Sequence, residues 1–195
     1  MRRLAALTAL TVAFAATPVM AETWIADPVH SSAEFRISHL ALSRVKGTIP
    51  IKSAIVVTPN GKDVPSAIEA TLDISAIDTR DGNRDADLKS DHWFDVAKYP
   101  TLVFKSTSIT SAADGTITVL GNLTIRGTTK PVTLVTHLEG KGKDARGNDR
   151  IAYTAQGKID RRDFGISYQG QTPGGNLIVG NDVTITIEIE AVDKK

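Results

Sequence analysis

The sequence predicts a single all-β domain, and three observations carry the prediction. Apolar and polar residues alternate with period two through one stretch after another, as strands with one buried face require. Turn-forming residues separate the stretches, among them Asn60-Gly61, Asp114-Gly115 and Gly147-Asn148-Asp149. Beyond the N-terminal leader only one segment reads as helical, and it is short.

In chain order, the first clear strand sets Ala33, Phe35 and Ile37 against Glu34, Arg36 and Ser38. A second sets Ile68, Ala70, Leu72 and Ile74 against Glu69, Thr71, Asp73 and Ser75. Asp81 to Ser90 is charged, with Ala86 and Leu88 its few apolar residues, and reads as a surface helix or turn. It begins a helical insertion near residues 81–95, whose Trp93-Phe94 pair packs down onto the sheet before Pro100 stops it. Leu102 and Phe104 start the next strand, and Val132, Leu134, Thr136 and Leu138 share one face of another. Gly140 to Arg150 reads as a hairpin loop, followed by a strand with Ile151, Tyr153, Ala155, Gly157 and Ile159 in line. A Gly-rich connection, Gln169 to Asp182, leads to the last strand, with Val183, Ile185, Ile187 and Ile189 on one face. About eight such strands suit either a β-sandwich or a closed antiparallel barrel. Inward faces built mostly from Ile, Val, Leu and Ala favour the barrel, because small side chains leave an eight-stranded interior open for one ligand.

Composition narrows the function classes. The chain has 195 residues, 41% hydrophobic and 23% charged, which suits one domain with a real core. The absence of cysteine removes disulfides, thiolate nucleophiles and Cys-ligated metal centres. A net charge of +1 gives no electrostatic case for a nucleic-acid partner. At the N-terminus, Met1-Arg2-Arg3, the uncharged run Leu4 to Ala16 and Val19-Met20-Ala21 form a secretory signal peptide over residues 1–21, leaving a domain over 22–195. The apolar run is shorter than the roughly 20 residues a bilayer span needs. Cutting after Ala21 removes Arg2 and Arg3 and turns the charge to −1.

Catalytic and metal-binding constellations are thin. Asp27, His30 and Ser31 resemble a triad in composition, but neighbours on a strand project to opposite faces, so His30 and Ser31 diverge. No Gly-x-Ser-x-Gly elbow exposes a nucleophile. The histidines His30, His39, His92 and His137 lack metal-site spacing, and Asp81, Asp85 and Asp87 lack the ligand order of a calcium loop. Asp27 is expected to organise the turn into its strand. No catalytic residue, metal or cofactor is assigned.

Ordered motifs run through the whole mature chain: Trp24-x-x-Asp27-x-x-His30-Ser31-x-x-x-Phe35-x-x-x-His39-Leu40, then Val45 and Gly47. Next come Asp78-Thr79, Arg84-Asp85-x-x-Leu88-x-Ser90, Phe94-Asp95-Val96, Tyr99-Pro100 and Phe104-x-Ser106. Gly121-x-Leu123-Thr124-Ile125-x-Gly127-x-Thr129-Lys130-Pro131-Val132 and Arg161-Arg162-Asp163-Phe164-Gly165-Ile166 complete the set. In this order they resemble YceI-like proteins, with Ile49 standing where that family usually has an aromatic residue. The resemblance implies a lipocalin-like, extended antiparallel eight-stranded β-barrel in the periplasm, with a polyisoprenoid or similar long-chain, fatty-acid-like lipid in an apolar pore. It also implies an inner-membrane cytochrome b561-type partner and leaves room for a homodimer.

On that reading the inward apolar residues Phe35, Ile37, Leu72, Phe104, Leu134, Tyr153 and Ile187 form the pore wall. Arg84, Lys130, Arg161 and Arg162 are the candidate head-group contacts, since cationic donors match phosphate oxygens. His39 shares the parity of Phe35 and Ile37 and so faces inward near one end, as a structural histidine or a polar ligand contact. Two other function classes stand beside lipid carriage: a stress-response or binding module with a filled barrel, and a lipid-modifying enzyme using His30 or His39.

Overall fold

The computed structural model describes residues 21–194. All of the predicted leader but its last residue, Ala21, therefore lies outside the described residues. Two interrupted strands open the sheet. The first is β1 (Ala21–Ala26) continued by β2 (Ser32–His39), and the second is β3 (Ser43–Thr48) continued by β4 (Ile51–Pro59). A proline marks each break: Pro28 in the first and Pro50 in the second, each without an amide proton to give to a ladder. Six strands follow: β5 (Ala67–Asp73), β6 (Thr101–Ser111), β7 (Ile117–Ile125), β8 (Thr128–Lys143), β9 (Asp149–Asp160) and β10 (Val179–Asp193).

From β4 to β10, neighbours in sequence pair antiparallel. The long β10 then returns to the start, pairing first with β2 (Ile185 opposite Phe35) and then with β1 (Ala191 opposite Ala26). Since β1 and β2 share one edge of β10, and β3 and β4 face them, ten segments make eight staves of a closed barrel. Closure leaves few unpaired backbone groups to stick to other chains, which is how a barrel manages its edges. The exception is β3, which ends the strand order and has no strand on its outer edge apart from a single bridge between Thr48 and Asp78.

The inward parities read from the sequence are those of the folded barrel for Phe35, Ile37, Leu72, Phe104, Leu134, Tyr153 and Ile187, which all face the interior. Some element bounds differ: β5 ends at Asp73 with Ile74 in a 3-10 turn, and β10 already begins at Val179, inside the expected connection. Strands β8 and β9 run on to Lys143 and from Asp149, so the expected loop over Gly140 to Arg150 shrinks to five residues, 144–148. Gly140 and Gly142 occupy strand positions with open space beside them, and a glycine in a strand looks like a loop when only its propensity is weighed. Asp144 holds the tight turn by accepting the amides of Arg146 and Asn148 at 2.8 and 2.9 Å.

The two ends of the barrel are built differently. At one end Trp24, Val56, Ile117, Val119, Ile151 and Ala191 pack at 3% exposure or less, and Trp24 Nε1 donates to Thr58 Oγ1 at 2.9 Å. Each such aliphatic side chain contributes roughly 1.5–3 kcal/mol by leaving water. At the other end the helix α1 (Gly82–Lys89) and the turns after it replace a wall between β3 and β6. Asp81 caps α1 by accepting the amides of Asn83 and Arg84, both at 3.1 Å. Trp93 is buried beneath it, its indole N–H on Asp87 at 2.8 Å. No helix among the described residues is long and apolar enough to cross a membrane.

Candidate functional site

Strands β2, β5 and β10 carry inward aliphatic residues that are only half-buried, although they face the barrel interior. They look onto open space. The space is a cavity of about 590 Å³, within the range usual for small-molecule sites. It runs from Val56, Ile68 and Tyr153 near the sealed end to His39, Val45, His92 and Ile178 at the other. A filled barrel does not describe this interior.

The lining is almost wholly apolar, but it is not purely aliphatic. Phe35, Trp93, Phe94, Phe104, Tyr153 and Tyr168 line it, six of the chain's ten aromatic residues. Trp93 and Tyr168 pack ring on ring at 5.1 Å near the mouth. Phe35 and Phe104 keep their places only because Gly47 and Gly121 lie opposite. A Cβ on either glycine would come within 2.5 Å of the facing ring. Tyr153 closes the deep end, donating its hydroxyl to the Asp63 carbonyl at 2.7 Å, and burial pushes its phenol well above the usual range. Thr136 adds a buried hydroxyl with no hydrogen-bond partner among the described residues.

The five polar candidates separate. His39 and Arg84 line the cavity at its mouth, with Arg84 tied through Nε and an Nη to the hydroxyl and carbonyl of Thr79, both at 2.8 Å. Arg161 also touches the cavity, but it is 3% exposed and its guanidinium is spent on the chain itself. It donates to the carbonyls of Ile166, Tyr168, Val179 and Gly180 and to Asn181 Oδ1, so it holds the loop before β10 in shape. Burial lowers its pKa. Lys130 and Arg162 are exposed and absent from the lining; Arg162 instead pairs with Asp160. Lys130 sits opposite Leu123, whose side chain faces in, yet Lys130 itself is exposed near the start of β8.

Sequence reasoning missed Arg126. Its backbone is left-handed (φ 50°), and its guanidinium donates to the Asp91 carbonyl at 2.7 Å and the Gly165 carbonyl at 3.1 Å. It thereby ties the helical insertion to the turn after β9 across the mouth. The only local signal is the Arg-Gly pair of a β7–β8 hairpin, which does not reveal what the side chain reaches.

Outside the barrel wall, Asp27 organises its turn as expected, accepting the Val29 amide at 3.0 Å. Its other oxygen lies 2.9 Å from His30 Nδ1 and 3.0 Å from Arg150, and these two donors hold its carboxyl well below the usual range. Asp27, His30 and Glu190 could geometrically converge on a cation, but Arg150 already contacts both carboxylates and supplies that charge. Ser31 turns away from His30, its hydroxyl meeting the Glu190 backbone carbonyl at 3.2 Å and amide at 3.1 Å. Nothing here assembles a nucleophile and base.

With this geometry in place, comparison with known proteins is direct. A family model for the YceI-like domain matches residues 24–191. Protein YceI of Salmonella newport is 34% identical over 85% of this chain and 83% of its own length. A UPF0312 protein of Pseudomonas savastanoi is 32% identical over 100% of this chain and 98% of its own. Among solved structures, a Campylobacter jejuni YceI protein superposes with TM-score 0.69 at 28% identity, covering 81% of this chain and 90% of that one. A polyisoprenoid binding domain from Saccharophagus degradans shares the fold, with TM-score 0.62 at 11% identity over 88% and 98% of the two chains. The chain is a closed antiparallel barrel of the YceI-like family.

Proposed function

We propose that this protein is a periplasmic carrier that holds a polyisoprenoid or similar long-chain lipid in its barrel, for transport, storage or sequestration. The observation that carries the reading is the cavity: about 590 Å³, apolar along its length, and lined by one chain. At about 30 Å³ per non-hydrogen group, the volume of a liquid water, it accommodates roughly 20 carbons, or about four isoprene units. Each unit contributes roughly 4 kcal/mol gross on leaving water, before chain ordering and association take back a large part.

The lipid tail lies along Phe35, Ile37, Leu72, Phe104, Leu134, Tyr153 and Ile187, and a polar head sits near His39 and Arg84. The family resemblance and the binding described for the Saccharophagus domain support this choice of ligand class. A single chain completes the cavity, so the reading requires neither a second copy nor a cytochrome b561-type partner. Binding rather than catalysis is the proposed activity, in keeping with the family resemblance and the almost wholly apolar lining.

Hexane extraction of protein purified from its own periplasm, followed by mass spectrometry, tests the proposal. A long-chain lipid in stoichiometric amount is the expected result. Repeated recovery of none, together with no uptake of added polyprenol by the extracted protein, would overturn it.

A further inference from the structure

The β2–β3 hairpin is an arm standing at the cavity mouth. Its inner face lines the cavity through Ile37, His39 and Val45. Its outer face carries Arg36, Arg44 and Lys46, with Arg36 directly opposite Lys46 and Ser38 opposite Arg44. All three cations are exposed, and none has an ion-pair partner within 4.0 Å among the described residues. Between Glu34 and Asp63 the chain contains no Asp or Glu at all, although acidic and basic residues nearly balance overall, 22 against 23.

The tip of the arm is apolar. Leu40 and Ala41 both adopt left-handed backbone, φ 54° and 58°, in a two-residue turn where Asn-Gly would rest without strain. Leu42 beside them is 86% exposed. An apolar tip flanked by unpaired cations is the pattern of a segment that dips into a charged interface, with the tip among acyl chains and the cations at head-group level. The opposite lip, residues 81–91 around α1, carries Asp81, Asp85, Asp87 and Asp91 against Arg84 and Lys89, so its net charge is opposite in sign to that of the arm.

We propose that the β2–β3 arm is the surface with which this protein settles on an anionic lipid bilayer, arm first and with the α1 lip tilted away, so that the cavity mouth opens toward the membrane. The occupant follows from charge complementarity and from the exposed leucine together. Cations alone would suit any acidic partner, whereas an apolar tip beside a lipid-sized cavity suits a bilayer. The proposal rests on the lipid-carrier reading only for its purpose. Docking itself needs the arm and not the cavity.

The test is flotation of the mature protein with vesicles of phosphatidylglycerol and phosphatidylcholine, against vesicles of phosphatidylcholine alone. Binding is expected on the anionic vesicles and is expected to weaken steeply as salt rises toward the range where the screening length is about 10 Å or less. The combined variant Arg36→Gln, Arg44→Gln, Lys46→Gln should bind about 10²-fold more weakly, at roughly one decade or slightly less per cation near the surface. Leu42→Asp should also lose binding while keeping its melting temperature, since the side chain is in water. Ala155→Phe, inside the cavity, should dock like the wild type. If it docks but no longer takes up polyprenol, docking and carriage are separate functions of one chain. Equal flotation on anionic and neutral vesicles at low salt would overturn the proposal. So would a triple variant that binds like the wild type, or an arm that retains only an acidic protein and no vesicle.

Discussion

Ala155 lies on β9 with its side chain toward the cavity, between Ile187 on β10 and Thr136 on β8. Replacing it with phenylalanine introduces a ring that needs about 150 Å³, the size of a cavity that holds one benzene. That is about a quarter of the 590 Å³ present. The displaced ligand length is therefore about five carbons, worth roughly 4 kcal/mol gross at 0.8 kcal/mol per carbon. If chain ordering and association return about half of this, binding weakens by about 2 kcal/mol, or roughly 30-fold. Stability should change little, because the ring enters open apolar space and phenylalanine suits a strand. The control is Ala191→Phe. Ala191 is also inward but 0% exposed and packed at the sealed end, where overpacking costs about 1–3 kcal/mol or more. Uptake of a polyprenol by lipid-free protein, followed through tryptophan emission, and urea unfolding supply the two readouts. Two results would refute the reasoning: Ala155→Phe as destabilising as Ala191→Phe, or Ala155→Phe with unchanged lipid uptake.

Three further outcomes are expected. Arg161→Met should lower stability by about 3 kcal/mol in denaturant unfolding, because its loss leaves the buried Ile166 carbonyl and the partly buried bonds to the Tyr168 and Gly180 carbonyls without their donor. Arg126→Ala removes the tie between the Asp91 and Gly165 carbonyls, so lipid exchange measured by stopped-flow fluorescence should speed up by about 10-fold or less while overall stability falls by about 1 kcal/mol. The third concerns acid. Asp27 is depressed by His30 and Arg150, and Asp144 chiefly by Asn148 with help from Arg150. A depressed carboxylate stabilises above its unfolded pKa of about 4, and that stability is lost as pH falls through the folded value. Arg150→Gln should therefore be less stable than wild type at pH 7, with the difference closing as pH drops below about 4. A gap that stays constant from pH 7 to pH 2.5 would show that Arg150 acts by packing alone.

Strand parity was legible in the sequence because period-two alternation is local and burial enforces it. A slip of one residue would turn Ile185, Ile187 and Ile189 out into water, so their side is decided by their own order in the chain. The helical insertion was legible from the charged run Asp81 to Ser90, although α1 ends at Lys89, well before Pro100. The strand-borne wall residues follow from parity, whereas Trp93, Phe94 and Tyr168 reach the cavity from turns and a loop.

Less legible were features that depend on what lies across the barrel. The breaks after Ala26 and Thr48 let two strands become four segments, which freed the β2–β3 arm from β4 and β5. Arg161 and Arg162 are neighbours of the same type, yet one is buried under the loop before β10 and the other pairs with Asp160 in water. Adjacent residues in a 3-10 turn point in different directions, and only the packing around them decides which meets the cavity.

By itself, then, the sequence determined an all-β chain, the inward face of the strands with clear alternation and the family to which those motifs belong. Tertiary structure alone decided that the interior stays open, sealed around Trp24 and mouthed between the arm and α1. The physical reason is that alternation states which side chains leave water, whereas a cavity depends on whether those from opposite walls reach one another. That distance is set by barrel closure, through β10 meeting both β2 and β1, and no local pattern encodes it.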